Sequence, residues 1–234
     1  MDLFFIRHGE SANNALADTT QRVADPPLTE RGRRQADCLA AFLARGGHLD
    51  PQERASAPPL DELYCSPMLR TLETARPTAE SLGLQARIWV DVHEVGGVWL
   101  DGKDHCPGLG RAQIATHLPG AVVPDAIGAG GWWSGGQETA AAGLGRVSGV
   151  AAELWARARR RAQAGERAQR IAIVSHGDFM SSMVKALTDH LPSAGIYYWH
   201  SNTGIDRFRF DPEAFRIRYL NRIDHLDDEE LVSQ

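Results

Sequence analysis

Residues 4–14 read FFIRHGESANN, and residues 171–180 read IAIVSHGDFM. In both, a short apolar run stops at a histidine followed by glycine. Leu3–Ile6 and Ile171–Val174 show no alternation of polar and apolar residues. This predicts strands buried on both faces, as in a parallel sheet covered by helices. An arginine and an imidazole are costly inside a core. At the carboxyl end of a strand they are well placed, because open α/β sheets bind ligands there.

Working outward, Thr29 reads as the N-cap of a helix in LTERGRRQADCLAAFLARGG (28–47), with Ala36, Leu39, Ala40, Phe42 and Leu43 on its apolar face and Gly46-Gly47 at its end. Residues 15–27 and 48–59 read as loops. Glu62–Cys65 reads as a second strand, with a turn at Ser66-Pro67 and a helix over 68–82 that Pro77 interrupts. ARIWVDVHEVGG (86–97) reads as a third strand ending in an acid. Residues 96–136 are rich in glycine and proline, with a helical stretch at 112–117; they are expected to be a pocket-shaping insertion in a single domain spanning 1–234. A long helix is expected over 138–164, its Arg157 and Arg159–Arg161 on a solvated face near its positive-charge-favouring end. Two late strands around Asp211-Pro212 suggest a hairpin, and the acidic tail DDEELVSQ is expected to be mobile. Strands alternating with helices indicate an α/β fold with a mostly parallel central sheet.

The 234 residues carry 25 Lys and Arg against 30 Asp and Glu, a net charge of −5, and 43% are hydrophobic. This balance gives no reason to expect a nucleic-acid or membrane partner. Cys38, Cys65 and Cys106 fit neither a metal spacing nor a disulfide framework. Reduced thiols and the lack of a signal-like start suggest a cytoplasmic protein.

His8 and His176 end strands, Arg70 follows the second strand, and Glu94 closes the third, so all four are expected at one sheet edge. Two arginines suit an oxyanion, because guanidinium forks match carboxylate and phosphate oxygens. A histidine with one unprotonated nitrogen can attack phosphorus. Phosphoryl transfer also needs an acid for the leaving oxygen. No H-E-x-x-H or cysteine pair is present, so no metal site is expected. His93 and Asp91 lie within a register slip of Glu94 and compete for its role.

RHGESANN, LTERGRRQA, YCSPMLRTLETA, the glutamate after the third strand and IVSHGDFM closely resemble, in order, the histidine phosphatase superfamily, branch 1. LNRIDHL near the end is similar to its closing segment. The resemblance implies a three-layer α/β/α sandwich of the phosphoglycerate mutase-like kind. It implies that His8 is the nucleophile that becomes phosphohistidine. Arg7, Arg70 and His176 would hold the phosphoryl oxygens, Asn14 would donate a further hydrogen bond, and Ser11 would lie at the phosphate. Glu94 would be the general acid, then the base that activates water. Glu10, Gln35 and Thr74 would be structural. No cofactor or metal is implied.

The expected activity is a metal-independent phosphomonoester hydrolase acting on a small phosphorylated molecule. The alternatives are a phosphoglycerate mutase-type phosphotransferase and a non-catalytic phosphate- or phosphopeptide-binding module. A mutase is expected to carry a basic insertion, whereas residues 95–136 offer only Lys103 and Arg111. Trp99, Trp132 and Trp133 fit a pocket wall and a packed cover equally well. The expected partner is the phosphorylated substrate or free phosphate. Oligomeric state is open, a homodimer included.

Overall fold

The computed structural model describes residues 1–55, 57–100, 106–211 and 214–234. Its strands are β1 Asp2–Arg7, β2 Glu62–Cys65, β3 Ala86–Ile88, β4 Arg170–Ser175, β5 Ile205–Phe210 and β6 Phe215–Arg222. Its helices are α1 Glu30–Ala44, α2 Pro51–Arg54, α3 Leu69–Leu82, α4 Arg111–His117, α5 Ala140–Gln163 and α6 Gly177–Leu187. The sheet order is β3-β2-β4-β1-β5-β6. β1, β2, β3 and β4 run parallel to their neighbours; β5 is antiparallel to β1, and β6 to β5. This is the expected mixed, mostly parallel α/β sheet flanked by helices.

The two-residue period of a strand divides the apolar run of β1 between two cores. Phe4 and Ile6 pack with Leu39 and Leu43 of α1, Leu72 and Ala75 of α3 and Ile114 of α4. Leu3 and Phe5 pack with Val147, Val150 and Leu154 of α5 and Phe179 and Met183 of α6. All four β1 residues are essentially inaccessible to solvent. Each such side chain contributes roughly 2 kcal/mol from burial, so β1 and β4 anchor the strand ends rigidly.

The helices begin and end for local reasons. The Thr29 hydroxyl accepts from Gly32 N at 3.0 Å, and Thr139 caps α5 in the same way. Gly83, at φ 62°, closes α3 in the left-handed conformation glycine adopts freely. α3 runs on through Pro77.

Four expectations need correction. β3 stops at Ile88, and a 3-10 turn over Val90–Val92 replaces the rest of the expected strand. Here the chain leaves the sheet edge, and the insertion returns Val122 to pair beside β3. The acidic tail is not mobile: Glu229–Leu231 forms a 3-10 turn, and Ser233 bonds to Gln35 and Asn202. Arg157 is not on a solvated face; it is half-buried against Glu62, Tyr64 and Gln169. The long helix starts at Ala140, two residues late, because Glu138 turns inward to Arg146. Lys103 and Pro212 of the hairpin tip lie outside the described residues.

No helix among the described residues is long and apolar enough to cross a membrane. Cys38, Cys65 and Cys106 are free thiols.

Candidate active site

Strand register places the site. Arg7 lies opposite Ser175, while Cys65 lies opposite Val174 and Ile88. The carboxyl ends of β1, β4, β2 and β3 are therefore level, and the residues that follow share one edge. The loop after β1 is held on every side. His8 N donates to Ser175 O at 3.0 Å, and Asn202 Nδ2 donates to His8 O at 3.1 Å. Gly9 N donates to Thr74 Oγ1, and Glu10 N to Gln35 Oε1. Gly9 and Gly32 meet so closely that a Cβ on Gly9 would lie 2.6 Å from the Gly32 carbonyl oxygen. Side chains on either would force the loop off α1. Glu10 is occupied by Thr29 and Arg31.

Inside this frame His8 is buried, its Nδ1 2.7 Å from Gly9 O. A carbonyl only accepts, so Nδ1 carries the hydrogen and Nε2 holds the lone pair. Arg70 Nε donates to that Nε2 at 3.1 Å. Burial, then Arg70 and Arg7, hold the His8 pKa well below its usual value, which keeps the ring neutral. The His176 ring stands 5.3 Å from that of His8, centroid to centroid, with Nε2 2.9 Å from Ser66 Oγ. It is likewise neutral, chiefly through burial. His176 Nδ1 and Arg7 Nε are buried with no protein hydrogen-bond partner among the described residues. Arg7 is aimed by one bond, from Nη1 to His200 O at 2.5 Å. Asn14 Oδ1 accepts from Ser11 N and Oγ, which leaves its Nδ2 as a spare donor.

Glu94 sits at the start of α6, where the N-cap residue His176 offers no side-chain cap. Its Oε1 accepts from Phe179 N at 3.0 Å and Val95 N at 2.9 Å. The helix N-terminus favours the anion, yet burial and then Asp178 push the Glu94 pKa up to about 7. His93 is packed between Trp132 and Trp133, and its Nδ1 donates to Val90 O. Asp91 is exposed, with its carbonyl bound by Arg146. Neither lines the cleft, whereas Glu94 does.

The cleft has a volume of about 1330 Å³. Arg7, His8, Ser11, Asn14, Arg70 and Glu94 all open onto it. His176 does not; it supports His8 from behind. Trp99 lines the cleft, but Trp132 and Trp133 pack away from it. Arg111 serves the insertion itself, donating to the carbonyls of Val123, Pro124 and Ile127.

Sequence reasoning missed several contributors. Asp25 receives Leu69 N at 3.0 Å and lies 3.7 Å from Arg70 Nη1. Asn13 clamps the cleft loop by bonding both polar groups of the Val23 backbone. Tyr197 and Trp199 line the opposite wall. Only Asp178 carried a sequence signal, as an acid directly after Ser175-His176-Gly177.

Residues 3–223 match the model of the Histidine phosphatase superfamily (branch 1), and the chain belongs to that family. Among curated relatives, Phosphoserine phosphatase 1 of Hydrogenobacter thermophilus is 37% identical over 83 residues, 36% of this chain and 33% of that protein. The PE-PGRS family protein PE_PGRS11 of Mycobacterium tuberculosis is 31% identical over 98 residues, 42% of this chain and 15% of that protein. The matches thus span a third or less of those relatives. The fold is shared with the mycobacterial glucosyl-3-phosphoglycerate phosphatase in complex with VO3, at 23% identity and TM-score 0.60, covering 94% of this chain and 98% of that one. It is also shared with a phosphoserine phosphatase mutant from Entamoeba histolytica in complex with phosphoserine, at 21% identity and TM-score 0.60, covering 96% and 98%.

Proposed function

We propose that the protein is a phosphomonoester hydrolase that works through a phosphohistidine on His8. The observation that carries this reading is the His8 ring itself: Nδ1 is tied to Gly9 O, and Nε2 lies at the cleft beside Arg70. A neutral imidazole aimed by its far nitrogen is a competent nucleophile. Among relatives and structural neighbours, proteins named as phosphatases support the hydrolytic class.

In the first step His8 Nε2 forms a bond to phosphorus as the ester P–O bond breaks. Arg70 turns from Nε2 to the phosphoryl oxygens. Arg7, with its unpartnered Nε, Asn14 Nδ2 and Ser11 complete the cradle, while His176 backs the His8 ring. These donors offset the charge spread over the equatorial oxygens. Glu94 gives its proton to the leaving oxygen, which a pKa near 7 permits at neutral pH. In the second step the ionised Glu94 takes a proton from water. The water oxygen bonds to phosphorus, the P–N bond breaks, and phosphate leaves with Glu94 protonated again. The cradle supplies its positive charge from arginines, so this scheme needs no metal or cofactor. The substrate is a small phosphorylated molecule; neither nucleic acid nor membrane enters the scheme.

Incubation with a radiolabelled phosphate ester and quench in alkaline detergent should trap a label that is acid-labile and alkali-stable. His8→Ala should lose that label and more than ~10³-fold in turnover. Full activity in His8→Ala would overturn the assignment. Transfer of label to an added alcohol in preference to water would favour a mutase instead.

A further inference from the structure

We propose that Asp178, braced by Tyr197, is a positioning residue for Glu94: it stands on the opening turn of α6 that Glu94 caps, and its negative charge helps to keep the proton on the acid at neutral pH. The inference rests on the reading of Glu94 as the general acid. Asp178 is the side chain that follows Ser175-His176-Gly177.

Geometry supports it first. Glu94 caps the opening turn of α6, and Asp178 projects from that same turn, its own N–H 3.4 Å from Glu94 Oε2. An exposed aspartate would ordinarily swing into water. Tyr197 prevents this, its hydroxyl donating to Asp178 Oδ1 at 2.7 Å across the cleft wall. Asp178 forms no salt bridge among the described residues, and the cation that feels its charge, Arg7, faces Glu94 as well.

The charges around Glu94 then need a source of opposition. Arg7 from β1 and Arg70 from α3 favour the ionised form. So do the N–H groups of Val95 and Phe179. Arg146 of α5 lies 3.5 Å from the Glu94 backbone oxygen. The His8 and His176 rings are neutral, as is the Tyr197 hydroxyl, whose pKa burial and Asp178 push up. Only burial and Asp178 act the other way. A carboxyl group at its ordinary pKa would hold a proton in roughly one molecule in several hundred at pH 7. A like charge on the same helical turn corrects this, because two neighbouring carboxylates resist ionising together.

The deciding experiment is the pH dependence of kcat/KM for Asp178→Asn on two esters, an alkyl phosphate with a poor leaving group and p-nitrophenyl phosphate. The alkaline limb with the alkyl ester should move down by about one unit. Turnover of that ester should fall about tenfold at pH 7.5 and return to within about twofold of the parent at pH 5.5. The aryl ester, which needs little protonation, should change less than about twofold. Tyr197→Phe should shift the limb in the same direction by less, since Asp178 keeps its charge but loses its tether. An equal loss at every pH, an equal loss on both esters, or an unmoved limb would overturn the proposal. Glu94→Gln is measured alongside. If it spares the alkyl ester, the acid assignment itself fails, whatever Asp178→Asn does; if it removes the alkaline limb, Asp178→Asn tests the positioning role alone.

Discussion

The two ends of the central sheet treat arginine in opposite ways. At the amino end of β1 two inward-facing arginines are matched by carboxylates. Arg207, 1% exposed, lies 3.0 Å from Asp2 and 2.8 Å from Glu53, and Arg157 lies 2.7 Å from Glu62. At the carboxyl end, Arg7 spends one nitrogen on a carbonyl and leaves Nε unpartnered, and Arg70 reaches the His8 ring, with its nearest carboxylate 3.7 Å away. The same residue type closes one end of the sheet and holds the other ready for an anion. The difference lies in where the carboxylates are. Asp2, Glu53 and Glu62 neutralise one end, whereas Asp25 and Glu94 are held back from their arginines with pKa values pushed up to about 6 and about 7, chiefly by burial.

The strongest way to break this contrast is a matched pair of substitutions. Arg70→Met should cost on the order of 10²- to 10³-fold in kcat, with stability within ~1 kcal/mol of the parent, because its ion pair to Asp25 is long, at 3.7 Å, and Asp25, with its pKa raised to about 6, can take up a proton in its place. Arg207→Met should do the reverse. It leaves Asp2 and Glu53 to the more exposed Arg209, at 3.5 and 3.1 Å, and should lower unfolding free energy by about 3 kcal/mol, with kcat per folded molecule nearly unchanged. Urea titration and steady-state kinetics on both variants check the pair; two equal activity losses would erase the distinction.

A smaller effect sharpens it. The folded-state pKa of Glu94 lies above its unfolded value, so the folded protein binds more protons between about pH 4.5 and pH 7. Its ionisation therefore takes stability away as pH rises through that window, and the loss is complete above pH 7. Glu94→Gln should be more stable than the parent by on the order of 1 kcal/mol at pH 8, since the open cleft screens part of the cost. The two should converge near pH 4. Melting temperatures across that range would show it, and a constant offset would count against the cause given.

The smallest effect bounds the contrast. Arg167 pairs with Asp61 at the amino end, but its side chain is 55% exposed. Arg167→Ala should leave the urea midpoint close to that of the parent. A clear drop would mean that surface pairs, and not only buried ones, secure that end.

Much of this was legible in one dimension. His8 and His176 stand directly after the apolar strands β1 and β4, and Arg70 lies in the first turn of the helix after Ser66-Pro67. Chain connectivity alone therefore delivers them to one edge. Glu94 was harder, because five residues separate it from the end of β3 and a 3-10 turn, not a strand, aims it. His93 and Asp91 were indistinguishable from it by spacing; the packing of Trp132 and Trp133 around His93 separates them. Asp25, Asn13, Tyr197 and the docked Ser233 left no periodic trace, since their partners lie in distant segments.

The sequence by itself determined the sheet edge at which His8, Arg70 and His176 gather, because an apolar run forces burial and its end leaves the sheet, and its ordered motifs carried the family. Tertiary structure alone decided which cations are neutralised, which acid faces the cleft and how tightly that acid keeps its proton. Those depend on distances of a few ångströms between residues far apart in the chain, and both electrostatic coupling and desolvation vary steeply over that range.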